Sequence, residues 1–493
     1  MALFITKSNF MSSLQCQKRL WLEVKEPNRA TALAQAQQRI INQGNEVGRY
    51  ARQQFPGGRL IAGNSLDAIQ ETQQATLSGA SCLFEAAFVF DDLLIRCDIL
   101  LRNATGDWEL IEVKSSGKVK DEHIEDVALQ KYVLTGVGIT VNKTKLMHIN
   151  TQDCVYPHLF NIFTLEDITS KVDKTLNKIP SLLQKCKTTL ASDIEPEFTL
   201  GKYCDKPNPC PFKDSCWQGI PEASIFTIPR LHEEKLKDLV QRQIFDLLSL
   251  PTNFPLTENQ RIYVDSIQTK QPMIDQEAIA TSLTNLQYPL HFFDFETHNP
   301  AIPRFNGLKP YEQFPFQYSC HVLPKDAVLQ EDDNLEHYEY LHTDESDPRA
   351  SLVADLVTAI GRVGSVIVYH KSFESNLLRR LAQDFPRYRQ QLESIANRLW
   401  DQEDIFKKHY KHPAFLGKTS IKKVLPILVP GLSYDDLKVK RGDEAQAIWD
   451  EMIKTSEPVR KQQMTADLKA YCKLDTLAMV KIHEALIAIA RQT

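Results

Sequence analysis

The sequence predicts a mixed α/β protein with more than one domain. Its 493 residues exceed the size at which a single hydrophobic core usually stops growing. Short apolar runs typical of strands alternate with helical stretches in residues 1–220 and again in residues 286–493. Residues 221–285 carry helical stretches broken by prolines, so we interpret them as a helical connector between two α/β domains.

Composition restricts the possible classes of function. The formal net charge of -5 gives no overall basic signal, so any nucleic-acid binding would have to use a local patch. No apolar run is long enough to span a membrane, and residues 1–16 lack the apolar region of a signal peptide. The chain has 10 cysteines and no secretion signal, which predicts a reducing cytoplasm, where grouped cysteines are more often metal ligands than disulfides.

A first candidate site lies on two predicted strands of the N-terminal domain. The stretch LLIRCDILLRNATGDWELIEVKSS is typical of an antiparallel hairpin, and centring it on Thr105 places Asp98 opposite Glu112. Glu112 and Lys114 are two residues apart and therefore share a strand face. Two carboxylates and a lysine form a minimal set for metal-dependent phosphodiester hydrolysis, because the acids hold the metal and the lysine offsets developing negative charge.

This set resembles the PD-(D/E)XK motif of RecB-family nucleases, whose fourth motif is a glutamine followed by a tyrosine. The resemblance implies a restriction-endonuclease-like domain in which Asp98 and Glu112 bind Mg²⁺ or Mn²⁺ and Lys114 is catalytic. Gln130 and Tyr132, in DVALQKYVL on a predicted helix, would then orient the site or contact DNA.

The early helix of this domain departs from the family pattern. RecB-type nucleases usually carry a metal-binding histidine there, whereas GNEVGRYA contains none and offers Glu46 as the nearest substitute. An E-x-K pattern by itself occurs commonly on exposed strands, so the interpretation depends on the whole set of residues.

Four cysteines form a second constellation in the same domain. Cys204, Cys210 and Cys216 lie in YCDKPNPCPFKDSCW, and Cys16 lies far from them in LQCQKRLWLE. Gaps of five residues stiffened by prolines suit a wider cluster better than the paired C-x₂₋₄-C knuckles of structural zinc. The arrangement resembles the iron–sulfur staple of AddB-type and CRISPR-adaptation RecB-family nucleases, which implies a [4Fe-4S] cluster on these thiols. Zinc is the alternative.

The C-terminal domain begins with a strand that carries two acids. In HFFDFET, Asp294 and Glu296 share one face of the strand, while Phe293 and Phe295 pack on the other. Adjacent carboxylates repel each other, and bound divalent cations would neutralise them.

A second candidate site includes three residues that lie later in the chain, Glu374, Tyr471 and Asp475. GSVIVYHKSFESNLLRRLA is typical of a strand that runs into a helix, with Ser372 as a plausible N-cap and Glu374 in the first turn. Tyr471 and Asp475 are spaced i, i+4 on a late predicted helix and share one face. Four separated acids could therefore converge on two Mg²⁺ or Mn²⁺ ions.

This order of motifs resembles the DnaQ-type exonucleases of the RNase H-like fold over residues 286–493. The resemblance implies 3′-to-5′ hydrolysis with two metals and a water held by Tyr471. The second motif of that family normally carries an aspartate, whereas this chain offers Glu374, whose extra methylene could shift a metal. Asp401 is the alternative ligand. Each acid taken alone could be an ordinary surface residue.

The whole chain resembles a bacterial family in which a RecB-like iron–sulfur nuclease domain precedes a DnaQ-like domain. We therefore expect a metal-dependent nuclease acting on DNA, as an exonuclease on single-stranded DNA or DNA ends. An RNA-directed exonuclease and a nucleic-acid-binding protein with an inactive site are the alternatives. The loop RFNGLKPYEQFPFQYS could stack on splayed bases or pack against the protein.

Overall fold

The computed structural model describes residues 4–32, 35–325 and 335–491. The chain is mixed α/β with several sheets, as the sequence predicts. It forms two compact units, which consist of residues 1–218 with 300–312 (unit 1) and residues 219–299 with 313–493 (unit 2). Within the described ranges no helix is both long and apolar enough to cross a membrane.

Unit 1 is built on a seven-stranded sheet. Its strands are β1 (Ile5–Thr6), β2 (Arg59–Leu60), β3 (Cys82–Phe90), β4 (Leu93–Arg102), β5 (Trp108–Lys114), β6 (Val141–Ile149) and β7 (Phe163–Asp167). The order across the sheet is β2-β3-β4-β5-β6-β7, and β1 pairs with β4. Strands β3, β4 and β5 form an antiparallel meander, and β6 runs parallel to β5.

Helices surround this sheet. They are α1 (Lys7–Gln15), α2 (Gln17–Lys25), α3 (Gln35–Arg52), α4 (Ser65–Leu77), α5 (Asp121–Gly136), α6 (Thr169–Leu176), α7 (Ile179–Ala191) and α8 (Lys213–Cys216). Helix α5 makes the crossover from β5 to β6, and the acidic residues of its first turn suit the positive end of a helix. Leu110, Leu129 and Leu183 are fully buried in the core between the sheet and the helices.

The predicted register of the β4–β5 hairpin is confirmed. Ile99 pairs with Ile111 and Arg102 with Trp108, so the hairpin is centred on Thr105. The next position along this register puts Asp98 across from Glu112.

Unit 2 contains a five-stranded mixed sheet and a two-stranded one. The larger sheet has β9 (Leu290–His298), β10 (Phe314–Leu323), β11 (Glu336–Leu341), β12 (Val366–Val368) and β13 (Leu399–Asp401) in the order β11-β10-β9-β12-β13. The first three strands are antiparallel neighbours, whereas β12 is parallel to β9 and to β13. The smaller sheet pairs β8 (Met273–Ile274) with β14 (Tyr410–Lys411).

Ten α-helices lie in the described part of unit 2. They are α9 (Glu233–Gln241), α10 (Glu258–Thr269), α11 (Gln276–Thr284), α12 (Arg349–Ile360), α13 (Lys371–Asp384), α14 (Arg389–Asn397), α15 (Glu403–Lys408), α16 (Ile421–Leu428), α17 (Gly442–Met452) and α18 (Pro458–Ala490). Residues 221–285, expected as a connector, contain α9 to α11 and belong to unit 2.

Alternation along β9 sends its side chains to two separate cores. Phe293 and Phe295 pack with helices α12 to α14 on one face of the sheet. Phe292 packs with Met479 and Val480 of α18 on the opposite face. Asp294 and Glu296 lie at alternate positions from Phe292, so they share its face, as predicted, and α18 lies over them.

Candidate metal centres

Three carboxylates of unit 2 converge on one point. Ligand oxygens of Asp294, Glu296 and Asp475 all lie within 4.8 Å of one another. Strand β9 supplies the first two and helix α18 supplies the third, and Glu296 and Asp475 are buried. Hard oxygen donors at this spacing suit Mg²⁺ or Mn²⁺, so the donor set fits the divalent ions that the sequence implies.

Burial and mutual repulsion raise the pKa values of these acids. Burial raises the pKa of Asp294 well above its usual range, and the nearby charges of Asp475, Glu296 and Glu374 raise it further. Burial and the charge of Asp475 also raise the pKa of Glu296, and burial raises the pKa of Asp475 to about 6. The metal-free site therefore favours bound protons, which a cation would displace.

Glu374 lines the same cleft, which has a volume of about 520 Å³. Its side chain lies in the first turn of α13, is only 2% exposed, and its Oε2 has no hydrogen-bond partner among the described residues. Burial raises the pKa of Glu374 to about 8. A buried carboxylate oxygen without a donor is costly, so this atom is available to a cation.

Asp401, the alternative ligand, has a different role. Its carboxylate accepts hydrogen bonds from the backbone N–H groups of His370 and Lys371, each at 3.1 Å. Asp401 thus satisfies the first donors of α13, whose N-cap is His370 and not Ser372, as the sequence had suggested. Asp401 does not line the cleft.

Two residues that sequence reasoning missed accompany Tyr471. Lys422 Nζ donates a hydrogen bond to the Tyr471 hydroxyl at 2.8 Å, and the Tyr434 hydroxyl donates to Asp475 Oδ1 at 2.5 Å. Lys422 Nζ also lies 5.1 Å from the ring centre of Tyr434 and 4.8 Å from that of Tyr471. No local pattern in the sequence distinguishes Lys422 from its neighbour Lys423.

Unit 1 brings the predicted hairpin residues and Gln130 together. Lys114 Nζ donates to Glu112 Oε1 at 2.7 Å, and Gln130 Nε2 donates to Glu112 Oε2 at 2.7 Å. The backbone N–H of Val113 donates to Asp98 Oδ2 at 2.7 Å. Asp98, Glu112 and Lys114 line a cleft of about 520 Å³.

Asp126 and Lys7 join this group and were not predicted. Asp126 accepts from Lys114 Nζ at 2.6 Å and from Gln130 Nε2 at 2.8 Å. Lys7, the first residue of α1, donates to Glu112 Oε1 at 2.9 Å and lies 3.3 Å from Asp126 Oδ1. The i, i+4 spacing of Asp126 and Gln130 could have revealed the acid, whereas Lys7 lies more than 100 residues away in the sequence.

The charges of the unit 1 cleft are unevenly balanced. Burial tends to raise the pKa of Asp126, but Lys7, Lys114 and the hydrogen bond from Gln130 hold that pKa well below its usual range. Burial and the charge of Glu112 raise the pKa of Asp98 to about 7. A cation bound beside Asp98 would therefore stabilise its ionised form.

Glu46 does not lie in the cleft, contrary to the expectation for a histidine substitute. Its neighbour Val47 is buried and lines the cleft, and one step along an α-helix turns the side chain by about 100°. Glu46 is exposed, and its Oε1 lies 3.9 Å from a guanidinium nitrogen of Arg49.

Tyr132 also lies away from the cleft. It follows Gln130 by two residues, which places it about 200° around α5. Its hydroxyl donates to Asp91 Oδ2 at 3.0 Å, and its ring packs edge-on against Phe90. The structure therefore gives Tyr132 a packing contact instead of a place beside Gln130.

The four cysteines of the predicted cluster line one cavity in unit 1. Cys16 lies between α1 and α2, Cys210 donates its backbone N–H to the Cys204 carbonyl at 2.8 Å, and Cys216 lies in α8. Gln15 Nε2 ties the end of α1 to this loop by donating to the carbonyls of residues 203 and 208.

No three of the four thiol sulfurs all lie within 4.8 Å of one another. Among the described residues, the potential metal ligands that lie this close together are the three carboxylates of unit 2. Four sulfur donors fit an iron–sulfur cluster or zinc by their chemistry. The remaining cysteines are buried: Cys82, Cys97, Cys154, Cys186, Cys320 and Cys472.

The aromatic side chains of the loop RFNGLKPYEQFPFQYS are mostly buried in the protein, and Tyr311 is half-buried. Phe305, Phe314 and Phe316 are buried, the last of them stacked on Trp449 within unit 2. Residues 300–312 belong to unit 1, where they pack in its core. The packing interpretation of this loop is the one that agrees with its burial.

Comparisons with known proteins give relatives without an assigned function. A family model described as "Domain of unknown function (DUF2779)" matches residues 291–420. "Uncharacterized protein MG366 homolog" of Mycoplasma pneumoniae is 30% identical over 212 residues, which is 39% of this chain and 31% of that protein. "Uncharacterized protein UU173" of Ureaplasma parvum is 24% identical over 384 residues, 69% of this chain and 52% of that protein.

The chain thus spans about a third to a half of the length of these curated relatives. Among solved structures, one titled "Crystal structure of SSO0001" is similar with a TM-score of 0.20 and 13% identity. That match covers 39% of this chain and 87% of the other.

Proposed function

We propose that the protein is a metal-dependent nuclease that acts on DNA as an exonuclease, at single-stranded DNA or DNA ends. The observation that carries the proposal is the convergence of Asp294, Glu296 and Asp475 within 4.8 Å, with Glu374 lining the same cleft. Such a set of acids is costly unless cations bind it, and two-metal sites of this kind hydrolyse phosphodiesters.

The topology of unit 2 supports an RNase H-like domain. In its sheet, β11, β10 and β9 are antiparallel neighbours, and β12 runs parallel to β9 and to β13. The paired acids lie on β9, which comes first in the sequence and occupies the centre of the sheet. Asp294, Glu296, Asp475 and Glu374 would hold Mg²⁺ or Mn²⁺, which when bound activates water and polarises the phosphodiester. The Tyr471 hydroxyl, beside Asp475 on α18, would orient the attacking water.

The topology of unit 1 supports a PD-(D/E)XK domain. An antiparallel meander (β3 to β5) followed by helix α5 and the parallel strand β6 places Asp98, Glu112, Lys114 and Gln130 together. Asp98 and Glu112 would hold a divalent ion. Lys114 would neutralise negative charge that develops on the phosphate in the transition state.

We further propose that Cys16, Cys204, Cys210 and Cys216 bind a [4Fe-4S] cluster. Zn–S bonds of about 2.3 Å place tetrahedral thiolates roughly 3.8 Å apart. The wider spacing of these thiols favours a cluster over a single zinc ion. In this interpretation the cluster joins α1 to the end of unit 1.

A nucleic-acid-binding protein with an inactive unit 1 is the second candidate. One observation favours it: Glu112 Oε1 accepts hydrogen bonds from both Lys7 and Lys114, so this ligand atom is already neutralised. The missing histidine of the early helix points the same way.

One experiment separates these possibilities. End-labelled single-stranded DNA, double-stranded DNA and matched RNA are digested with Mn²⁺ by the wild type, Asp98→Ala, Asp294→Asn and the double variant. We expect the wild type to remove nucleotides from DNA ends only when metal is present. Asp98→Ala should abolish the contribution of the unit 1 site, and Asp294→Asn should abolish that of the unit 2 site. Equal digestion by the wild type and the double variant would refute both sites. Faster digestion of RNA would make RNA the substrate.

A further inference from the structure

Lys422 is a cation set among the carboxylates of the unit 2 cleft. It lines the cleft together with Asp294, Glu296, Glu374 and Asp475. A single ammonium group thus faces acids that otherwise repel one another.

The contacts of Lys422 lead to Tyr471. Its Nζ donates to the Tyr471 hydroxyl at 2.8 Å and lies against the faces of Tyr434 and Tyr471. The Tyr471 oxygen accepts this hydrogen bond, so its own hydrogen must point away from the ammonium. Asp475 lies one turn further along α18 and accepts a hydrogen bond from the Tyr434 hydroxyl instead. The Lys422 ammonium group is therefore the partner that restricts the direction of the Tyr471 hydroxyl.

The position of Lys422 in α16 does not stabilise that helix. It is the second residue of α16, where the positive end of the helix disfavours a cation. Its neighbour Lys423 has the same charge but does not line the cleft. The placement of Lys422 is therefore explained by the cleft and not by helix formation.

We infer that Lys422 is a positioning residue of the unit 2 site, which acts through Tyr471 by holding its hydroxyl in the direction that orients the attacking water. The inference rests on the proposed function. Lys422 also places a positive charge beside the metal-binding acids, where it competes with the metal ions. Removing it should slow the reaction and at the same time tighten metal binding.

The test uses the full chain with Asp98→Ala, so that the second site alone is observed. Lys422→Met, Lys422→Arg, Tyr471→Phe and the Lys422→Met/Tyr471→Phe double variant are compared with Lys423→Met, the matched control. The assay measures kcat and KM for Mn²⁺-dependent release of the 3′ nucleotide from single-stranded DNA. A titration followed by thermal melting measures Mn²⁺ affinity in each variant.

We expect Lys422→Met to lower kcat by up to about 100-fold with KM little changed, the loss expected when a reacting group is misplaced by about 1 Å. The double variant should be no slower than Tyr471→Phe, Lys422→Arg should recover part of the rate, and Lys423→Met should match the parent. Multiplying losses in the double variant, or an effect on KM alone, would overturn the role through Tyr471.

Metal binding provides the readout that does not depend on activity. We expect Lys422→Met to bind Mn²⁺ several-fold more tightly than the parent, and Lys423→Met to bind it equally. Unchanged affinity in Lys422→Met would overturn the charge effect. A parent that binds Mn²⁺ but releases no nucleotide would refute the proposed activity of the unit 2 site and, with it, the role through Tyr471. The charge effect would then be judged by affinity alone.

Discussion

Asp294 has opposite effects on stability with and without a cation. In the metal-free protein, burial and the neighbouring acids disfavour the ionised form of Asp294, so Asp294→Asn should cost little or even stabilise unit 2. With Mn²⁺ bound, the same change removes a ligand and with it most of the metal-dependent rise in Tm. Thermal melting of the full chain with and without Mn²⁺ measures both effects.

Asp436→Asn is the control for this comparison, because Asp436 is exposed and outside the cleft. It should leave the metal-dependent rise in Tm unchanged. An equal rise in the wild type and in Asp294→Asn would show that the paired acids of β9 do not bind the metal.

Lys114 should affect cleavage more than DNA binding. The ammonium group lies against Glu112 and Asp126, where it is placed to offset charge that appears in the transition state. In a chain with Asp294→Asn, Lys114→Ala should reduce cleavage about 100-fold or more with little change in Kd for DNA. Lys118→Ala, a change at an exposed lysine nearby, is the control. Equal losses in rate and binding would contradict a catalytic role.

Single residues of both clefts differ in how far the sequence could predict them. The shared face of Asp294 and Glu296 follows from strand alternation, and the helix spacing of Tyr471 and Asp475 is equally local. Lys7 and Lys422 come from distant segments, and their positions depend on tertiary packing, which no local period encodes.

At the level of elements, the start of β12 depends on a glycine. Gly364 has φ of +85°, and a Cβ there would lie 1.9 Å from the Pro289 carbonyl oxygen. Gly364→Ala should therefore destabilise unit 2 by more than the roughly 1–3 kcal/mol expected for backbone strain alone. Urea unfolding of the full chain measures the difference.

Gly431→Ala provides the comparison for this change. Gly431 also has a positive φ, +94°, but a Cβ there would meet no atom within 4 Å. Gly431→Ala should therefore lower the free energy of unfolding only by the cost of placing an alanine at a positive φ. A similar loss for both variants would show that the backbone contact of Gly364 contributes nothing.

Helix and strand ends show where element prediction succeeds and fails. The β4–β5 register is correct because the turn between the strands is local and fixes the pairing. The predicted N-cap of α13, Ser372, is wrong. Asp401 of strand β13 provides the hydrogen-bond acceptors that Ser372 was expected to supply. Capping by a distant side chain leaves no pattern next to the helix.

For the molecule as a whole, the buried acids predict how stability depends on pH. The pKa of Glu374 rises from 4.5 to about 8 and that of Asp475 from 3.8 to about 6 on folding. Raised pKa values stabilise the folded state below the unfolded pKa, and this stabilisation is lost as pH rises through the folded pKa. Without metal, these acids should therefore make stability fall as pH rises from about 4 to 8. Burial lowers the pKa values of His123 and His483 to about 4, which opposes this fall up to about pH 6.5, so the net fall is expected above that pH.

Thermal melting in a chelating buffer across this pH range tests the prediction. Glu374→Gln should flatten the decline above about pH 6, where Glu374 is the group still losing its proton. Mn²⁺ should reverse the trend, because metal binding needs the ionised acids. Metal-free stability that increases from pH 7 to 8 would contradict the burial of Glu374.

The cysteine cavity predicts a property of the whole protein, its colour. If the four thiols bind iron and sulfide, anaerobically purified protein should be brown with broad visible absorbance, and Cys16→Ala should bleach it. The variant should also lower the stability of unit 1, because the cluster closes a loop of almost 200 residues. Cys154→Ala, at a buried cysteine outside the cavity, should stay brown. Colourless protein with stoichiometric zinc would exclude the cluster.

Helix α1 connects these thiols to the first cleft. It has nine residues, a length of about 13 Å, with Lys7 at its beginning and Cys16 directly after its end. One rigid rod therefore carries an ammonium group to Glu112 and a thiol to the cysteine cavity. A substitution that breaks α1, such as a proline in its middle, would therefore disturb the charge balance of the cleft and the arrangement of the thiols together, although neither group of residues had been changed.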